Sequence, residues 1–222
     1  MTNQNHSLKH RRPLQTRNTA WAHSIARWLR DRGIKPNTIS VMSALYALFA
    51  GLFLWLSREE RLGIPAWCFL LFAVIAIQKR LLCNLFDGMV AIEGGLKTKT
   101  GELFNDVPDR FSDIFILVGA GYAIQSFAWG SDLGWLAATL AVMTAYTRLL
   151  GVSTGTESYS SGPMAKQHRM AVMTFAALFA IGERLVVQSD WVLVAALAVI
   201  ALGSLVTIFR RLVQISAELE SK

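Results

Sequence analysis

Six polar side chains stand where the chain is otherwise apolar. Arg80, Asn84 and Asp87 interrupt one long apolar run, and Asn105, Asp109 and Asp113 interrupt the next. Ionisable groups in such runs are costly and imply a partner, a cavity or an ion. Steps of four, three and four residues put Arg80, Asn84, Asp87 and Ala91 on one helix face. Steps of four do the same for Gly101, Asn105, Asp109 and Asp113. If the two helices are antiparallel, Arg80 comes level with Asp113, Asn84 with Asp109, Asp87 with Asn105 and Ala91 with Gly101. In that register Arg80 and Asp113 form a structural ion pair at the deep end. Asn84, Asp87, Asn105 and Asp109 then make an oxygen-rich cluster suited to Mg2+ or Mn2+. Gly88, Ala91 and Gly101 leave room beside it for a phosphate-bearing ligand.

The elements that must position these residues follow from hydropathy and charge. A chain of 222 residues that is 53% apolar, 17% charged and +7 in formal charge is not disordered. Six spans of roughly 20 residues each leave no room for a separate soluble domain. They run from Pro36 to about Ser57, Pro65 to about Glu93, Thr100 to about Ala128, Trp135 to Gly151, Met170 to Val187 and Trp191 to Arg210. Before them, Trp21, Ile25, Trp28 and Leu29 share one face of an interfacial amphipathic helix. The expected fold is therefore an all-α integral membrane protein. Residues 1–35 form a basic cytoplasmic arm plus the interfacial helix, 36–213 the six-helix transmembrane catalytic domain and 214–222 a cytoplasmic tail.

Lys97, Lys99, Lys166, Arg169, Arg210 and Arg211 fall on the side of the basic amino-terminal arm, and Arg58, Arg61 and Arg184 on the other. By the positive-inside rule both termini face the cytoplasm, with the site opening there, in a bacterial inner membrane. No cleavable signal is expected from the polar first 35 residues. Cys68 and Cys83 sit in apolar stretches and read as small buried hydrophobes.

The stretch Asn84-x2-Asp87-Gly88-x2-Ala91-Ile92-x8-Gly101-x3-Asn105-x3-Asp109 resembles the signature of the CDP-alcohol phosphotransferases, D-x2-D-G-x2-A-R-x8-G-x3-D-x3-D. The spacing agrees throughout, while Asn84, Asn105 and Ile92 depart in identity. The amphipathic helix and the Pro36-Asn37-Thr38 helix start are also similar to that family, so the resemblance covers most of the chain. It implies a metal-dependent transferase that moves a phosphatidyl group from CDP-diacylglycerol to a small polar alcohol and releases CMP. It implies a metal shell of Asn84, Asp87, Asn105 and Asp109, a base at Asp109, and a nucleotide lined by Asn37, Gly88, Ala91 and Gly101. A homodimer is implied too. Two amides in place of carboxylates point to one tightly held ion, or to a second completed by Asp113, Asp106 or Glu102. A register shifted by four residues would make Asp109 and Asp113 the final acidic pair, so both stand as candidate catalytic residues.

Arg148, Lys166 and Arg169 are expected to bind an anionic acceptor, against the plainer reading of flanking positive charge. His168 reads as a polar neighbour, and Glu93, Glu102 and Asp106 as borders of the cavity. No P-loop, Rossmann glycine run or zinc spacing is present, and nothing implies nucleic acid. Two other classes stay open: a catalytically degenerate CDP-lipid-binding relative, and an ion or solute transporter using the intramembrane acids.

Overall fold

The computed structural model describes residues 19–58, 63–93, 95 and 100–222. Expectations attached to residues 1–18, Arg61, Lys97 and Lys99, and to the side chains of Glu93 and Glu102, lie outside the described residues. The described chain forms seven helices: α1 Ala20–Asp31, α2 Pro36–Leu56, α3 Ala66–Glu93, α4 Gly101–Ala123, α5 Gly130–Ser153, α6 Lys166–Val186 and α7 Trp191–Glu220.

The helix limits have local causes. Gly33, at φ +73, closes α1: its amide donates to the Arg30 carbonyl at 2.8 Å and that of Ile34 to Leu29 at 3.1 Å. Pro36 then opens α2 at a position where no intrahelical donor is needed. The third span stops at Ala123, short of the expected Ala128, because the amides of Gln125 and Ser126 turn to Asp190 Oδ2 at 2.8 and 3.0 Å. The fourth starts five residues early, at Gly130, where Gly134 packs on Gly121. The fifth includes the charged turn from Lys166 to Arg169, and the sixth continues ten residues past Arg210. Hydropathy misses both of these ends because their inward residues are polar: Lys166 and Arg169 on α6, Arg211 on α7.

Among the described residues, four helices are long and apolar enough to cross a membrane: α2, α3 as far as Ile92, α5 and α7. The inner faces are built from small residues such as Ala47, Ala73, Ala120, Ala141 and Ala177. Bulky Leu, Phe and Val side chains, Phe49, Phe179 and Phe209 among them, point outward. That inversion is how helices pack in hydrocarbon, where small residues let backbones approach. The chain is an integral membrane protein.

α2 is the helix on which both polar helices lean. It packs closely against α3 and against α4, whereas α3 and α4 are not a closely packed pair among the described residues. A Cβ at Gly119 of α4 would lie 2.6 Å from Gly51 Cα of α2, so these backbones touch. At the end of the bundle near Asp190, Arg184 ties four elements together. It donates to Ser57 Oγ at 2.9 Å, to the Ala123 carbonyl at 2.8 Å and to Asp190 Oδ1 at 2.9 Å. α1 crosses the other end, burying Ala22 and Ala26 beside Phe86, Met89 and Val90 of α3. Trp21, Ile25 and Trp28 of α1 remain exposed, consistent with an interfacial helix.

Candidate active site

The polar stripes of α3 and α4 face each other across a cavity of ≈ 340 Å³. α3 supplies Asn84, Asp87 and Gly88; α4 supplies Asn105, Asp106, Asp109 and Arg110; α5, α6 and α7 add Arg148, Lys166, Arg169 and Arg211. Pro108 sits inside α4 beside Asp109. A proline there has no N–H to donate to the preceding turn, so the continuous helix lacks one backbone hydrogen bond beside that carboxylate.

α2 fixes the α3 side of the site. Ser40 Oγ donates to Asp87 Oδ2 at 2.9 Å, and the Gly88 amide donates to Asp87 Oδ1. One turn on, Ser43 Oγ lies 3.3 Å from the Arg80 carbonyl and 3.2 Å from Asn84 Oδ1. One hydroxyl hydrogen cannot serve both acceptors. Asn84 Nδ2 is meanwhile buried without a partner. Turning the amide over lets Nδ2 donate to Ser43 Oγ and leaves Oδ1 as a buried oxygen without a protein donor. That is the arrangement a hard cation would complete, and carboxylate and amide oxygens are the donors that Mg2+ and Mn2+ prefer. No cluster of three or more His, Cys, Asp or Glu side chains is placed to hold a metal among the described residues; the amide oxygens are the further protein donors on offer.

The α4 side is ringed by cations. Lys166 donates to Asp109 Oδ2, and Arg80 Nη2 lies 3.5 Å from Asp109 Oδ1. Asp113, with no exposed surface, accepts from Arg169 Nη2 at 2.7 Å; Arg80 stands 3.9 Å from its other oxygen. Arg80 is thus shared between two aspartates, and Arg169 is the tighter partner of Asp113. Arg148 Nη2 donates to both oxygens of Asp106, at 2.8 and 3.0 Å.

Of the residues singled out from the sequence, Asn84, Asp87, Gly88, Asn105, Asp109, Arg148, Lys166 and Arg169 line one cavity. Asn37, Ala91, Gly101, Arg80 and Asp113 are not part of its lining. Asn37 lies one turn before Ser40 on α2, and Asp113 lies one turn deeper than Asp109. His168 is exposed, its Nδ1 2.8 Å from the Pro163 carbonyl. Ser40, Ser43, Thr144, Arg110 and Arg211 complete the site and its supports without having been singled out. The α2 serines carried a signal: Ser40, Ser43, Ala47 and Gly51 form a small-residue stripe at helical spacing. Arg211 is held by the carbonyls of Ser161 at 3.1 Å, Ser160 at 3.0 Å and Thr144. α7 thereby fastens the α5–α6 loop at the rim.

No family model matches the chain. A phosphatidylinositol phosphate synthase of Streptomyces avermitilis is 28% identical over 200 residues, covering 87% of this chain and 77% of that protein. An archaetidylinositol phosphate synthase of Pyrococcus horikoshii is 27% identical over 171 residues, 76% of this chain and 84% of the relative. Among solved structures, Mycobacterium tuberculosis phosphatidylinositol phosphate synthase with CDP-DAG bound superposes with a TM-score of 0.70. The identity is 18%, over 87% of this chain and 92% of that one. The same protein in complex with manganese and citrate gives a TM-score of 0.69 at 17% identity, over 87% and 88% of the two chains. Two relatives of one reaction type over most of the chain, the shared fold, and the motif spacing converging on one cavity lead to a single conclusion: the chain is similar to the CDP-alcohol phosphotransferases.

Proposed function

We propose that the protein transfers the phosphatidyl group of CDP-diacylglycerol to a phosphorylated small polyol, releasing CMP, with Mg2+ or Mn2+ as cofactor. The observation that carries this is the mixed lining of one cavity. Oxygen donors from Asn84, Asp87 and Asn105 share it with the cationic side chains of Arg110, Arg148, Lys166, Arg169 and Arg211. The relatives named for inositol phosphate products support an inositol-phosphate-like acceptor. The cationic wall suits it, because arginine forks and ammonium groups bind phosphate oxygens strongly.

Asn84, Asp87 and Asn105 would hold the metal, which when bound polarises the diphosphate and offsets the charge developing on CMP. Gly88 leaves space where the nucleotide must approach the α3 backbone. Asp109 accepts the proton of the acceptor hydroxyl. It is aimed by Lys166 and Arg80, each on a different oxygen. Asp113, closed to solvent and held by Arg169, positions the cationic frame, which supports Asp109 over Asp113 as the base. Arg148, positioned by Asp106, faces the acceptor.

This reading includes six membrane crossings, both termini and the cavity on the cytoplasmic side of the inner membrane, and a homodimer. The positive flank of the cavity end supports that orientation. The test is CMP release by the purified protein from CDP-diacylglycerol with Mn2+, comparing inositol 1-phosphate, glycerol 3-phosphate, inositol and serine. Release that requires a phosphorylated acceptor is the expected result. Tight CDP binding without turnover on any acceptor would favour a lipid-binding relative, and proton or solute flux without CMP release a transporter.

A further inference from the structure

We infer that the site holds one divalent ion per chain, and that the Lys166 ammonium takes the place of a second cation against Asp109. The inference rests on the metal-dependent reading above. The pattern the chain resembles has carboxylates at four positions, of which Asn84 and Asn105 are amides here. Each amide removes one negative charge and leaves a weaker oxygen ligand. The charge lost on α3 and α4 is matched by cations from the protein itself: Lys166 on Asp109 Oδ2 and Arg80 at 3.5 Å from Oδ1.

The two ends of the motif therefore differ. Asp87 is held by neutral donors only, a serine hydroxyl and a backbone amide, one on each oxygen. Each of its oxygens keeps a lone pair for an ion, and Asn84 and Asn105 flank it as uncharged oxygen donors. Asp109 already faces a protein cation on both oxygens. Asp87, Asp109 and Lys166 line the same cavity.

Charge then sets the number of ions. Asp87, Asp109 and Lys166 together carry one net negative charge, which a single dication more than neutralises. A second dication at Asp109 would have to displace Lys166 or sit beside it and Arg80, where like charges repel strongly in a partly dehydrated site. Lys166 is about a quarter exposed, with side-chain exposure of 25%. Its three N–H donors can hold Asp109 and also reach a substrate phosphate. It is a positioning residue for the base and a fixed positive charge for the substrate.

The test counts Mn2+ on the purified full chain in detergent micelles by titration and electron paramagnetic resonance. The wild type is expected to bind one Mn2+ per chain with an isolated six-line spectrum. Asn84→Asp/Asn105→Asp/Lys166→Met is expected to bind two, spin-coupled as ions about 4 Å apart are. Asn84→Asp/Asn105→Asp with Lys166 kept should bind the second ion at least tenfold more weakly than the triple variant. Two coupled Mn2+ on the wild type would overturn the inference while leaving the transferase reading intact. So would equal affinity for the second ion with and without Lys166. No Mn2+ on the wild type would remove both. The wild-type count decides the number of ions by itself, whether or not the variants fold, and the variant pair decides the part played by Lys166.

Discussion

Arg169 donates to Asp113 at 2.7 Å with 1% and 0% of the two side chains exposed, and Arg80 closes on the same carboxylate from 3.9 Å. This buried triad joins α3, α4 and α6 directly beneath Asp109. Breaking a buried pair leaves an uncompensated charge, which costs more than the pair contributes. Arg169→Leu is expected to lower stability by about 3–5 kcal/mol, seen as a fall in the thermal midpoint in detergent. Arg169→Leu combined with Asp113→Asn should recover part of that loss. A double variant no more stable than the single one would show that the charge is not what the triad holds.

The opposite end of the bundle has its own lock. Burial alone would raise the Asp190 carboxyl, but the amides of Ser126 and Gln125 and the Arg184 guanidinium outweigh it and hold the group below its ordinary range. A depressed folded-state value means that the contribution to stability is complete above the ordinary aspartate range of about 3.9 and is lost as pH falls through the folded value. Asp190→Asn should therefore lower the thermal midpoint at pH 7, and the gap to wild type should narrow as the buffer is acidified. A gap constant with pH would assign the effect to lost shape instead of lost charge.

Gly119 tests how tightly α4 is seated on α2. A methyl group there meets Gly51 backbone, which cannot swing away as a side chain can. Gly119→Ala is expected to cost about 1–3 kcal/mol by overpacking and to reduce turnover by shifting Asp109. Gly182, inside α6 with nothing within 4 Å of an added Cβ, is the control: Gly182→Ala should leave turnover unchanged and hold or raise stability. Similar behaviour of the two variants in unfolding and CMP-release assays would contradict the packing account.

How much of this was legible in the sequence depends on which physical signal each residue leaves. The stripes of α3 and α4 were readable because polar groups in apolar runs stand out and helical spacing fixes their face. Their partners were harder to read. Arg80 was assigned to Asp113 from matching depth along two helices. Their partners on α6, Arg169 at 2.7 Å from Asp113 and Lys166 on Asp109, depend on how that helix packs, and no local pattern encodes that. The same holds for α2 packing against both α3 and α4: pairing sequence neighbours across a short turn suggests direct packing, whereas α3 and α4 line the cavity and meet through Arg80 and Asp109. Helix ends were misplaced where inward polar residues, Lys166, Arg169 and Arg211, interrupt the apolar signal of helices that continue.

The most direct test of the site is acceptor-dependent CMP release from CDP-diacylglycerol by wild type and Asp109→Asn, with Mn2+ present and folding checked by the thermal midpoint. General-base catalysis contributes on the order of 10²–10⁴-fold. The expected result is a loss of that size in kcat for Asp109→Asn, with Mn2+ still bound. Equal turnover by the two proteins, or none by a folded, Mn2+-loaded wild type, would contradict it.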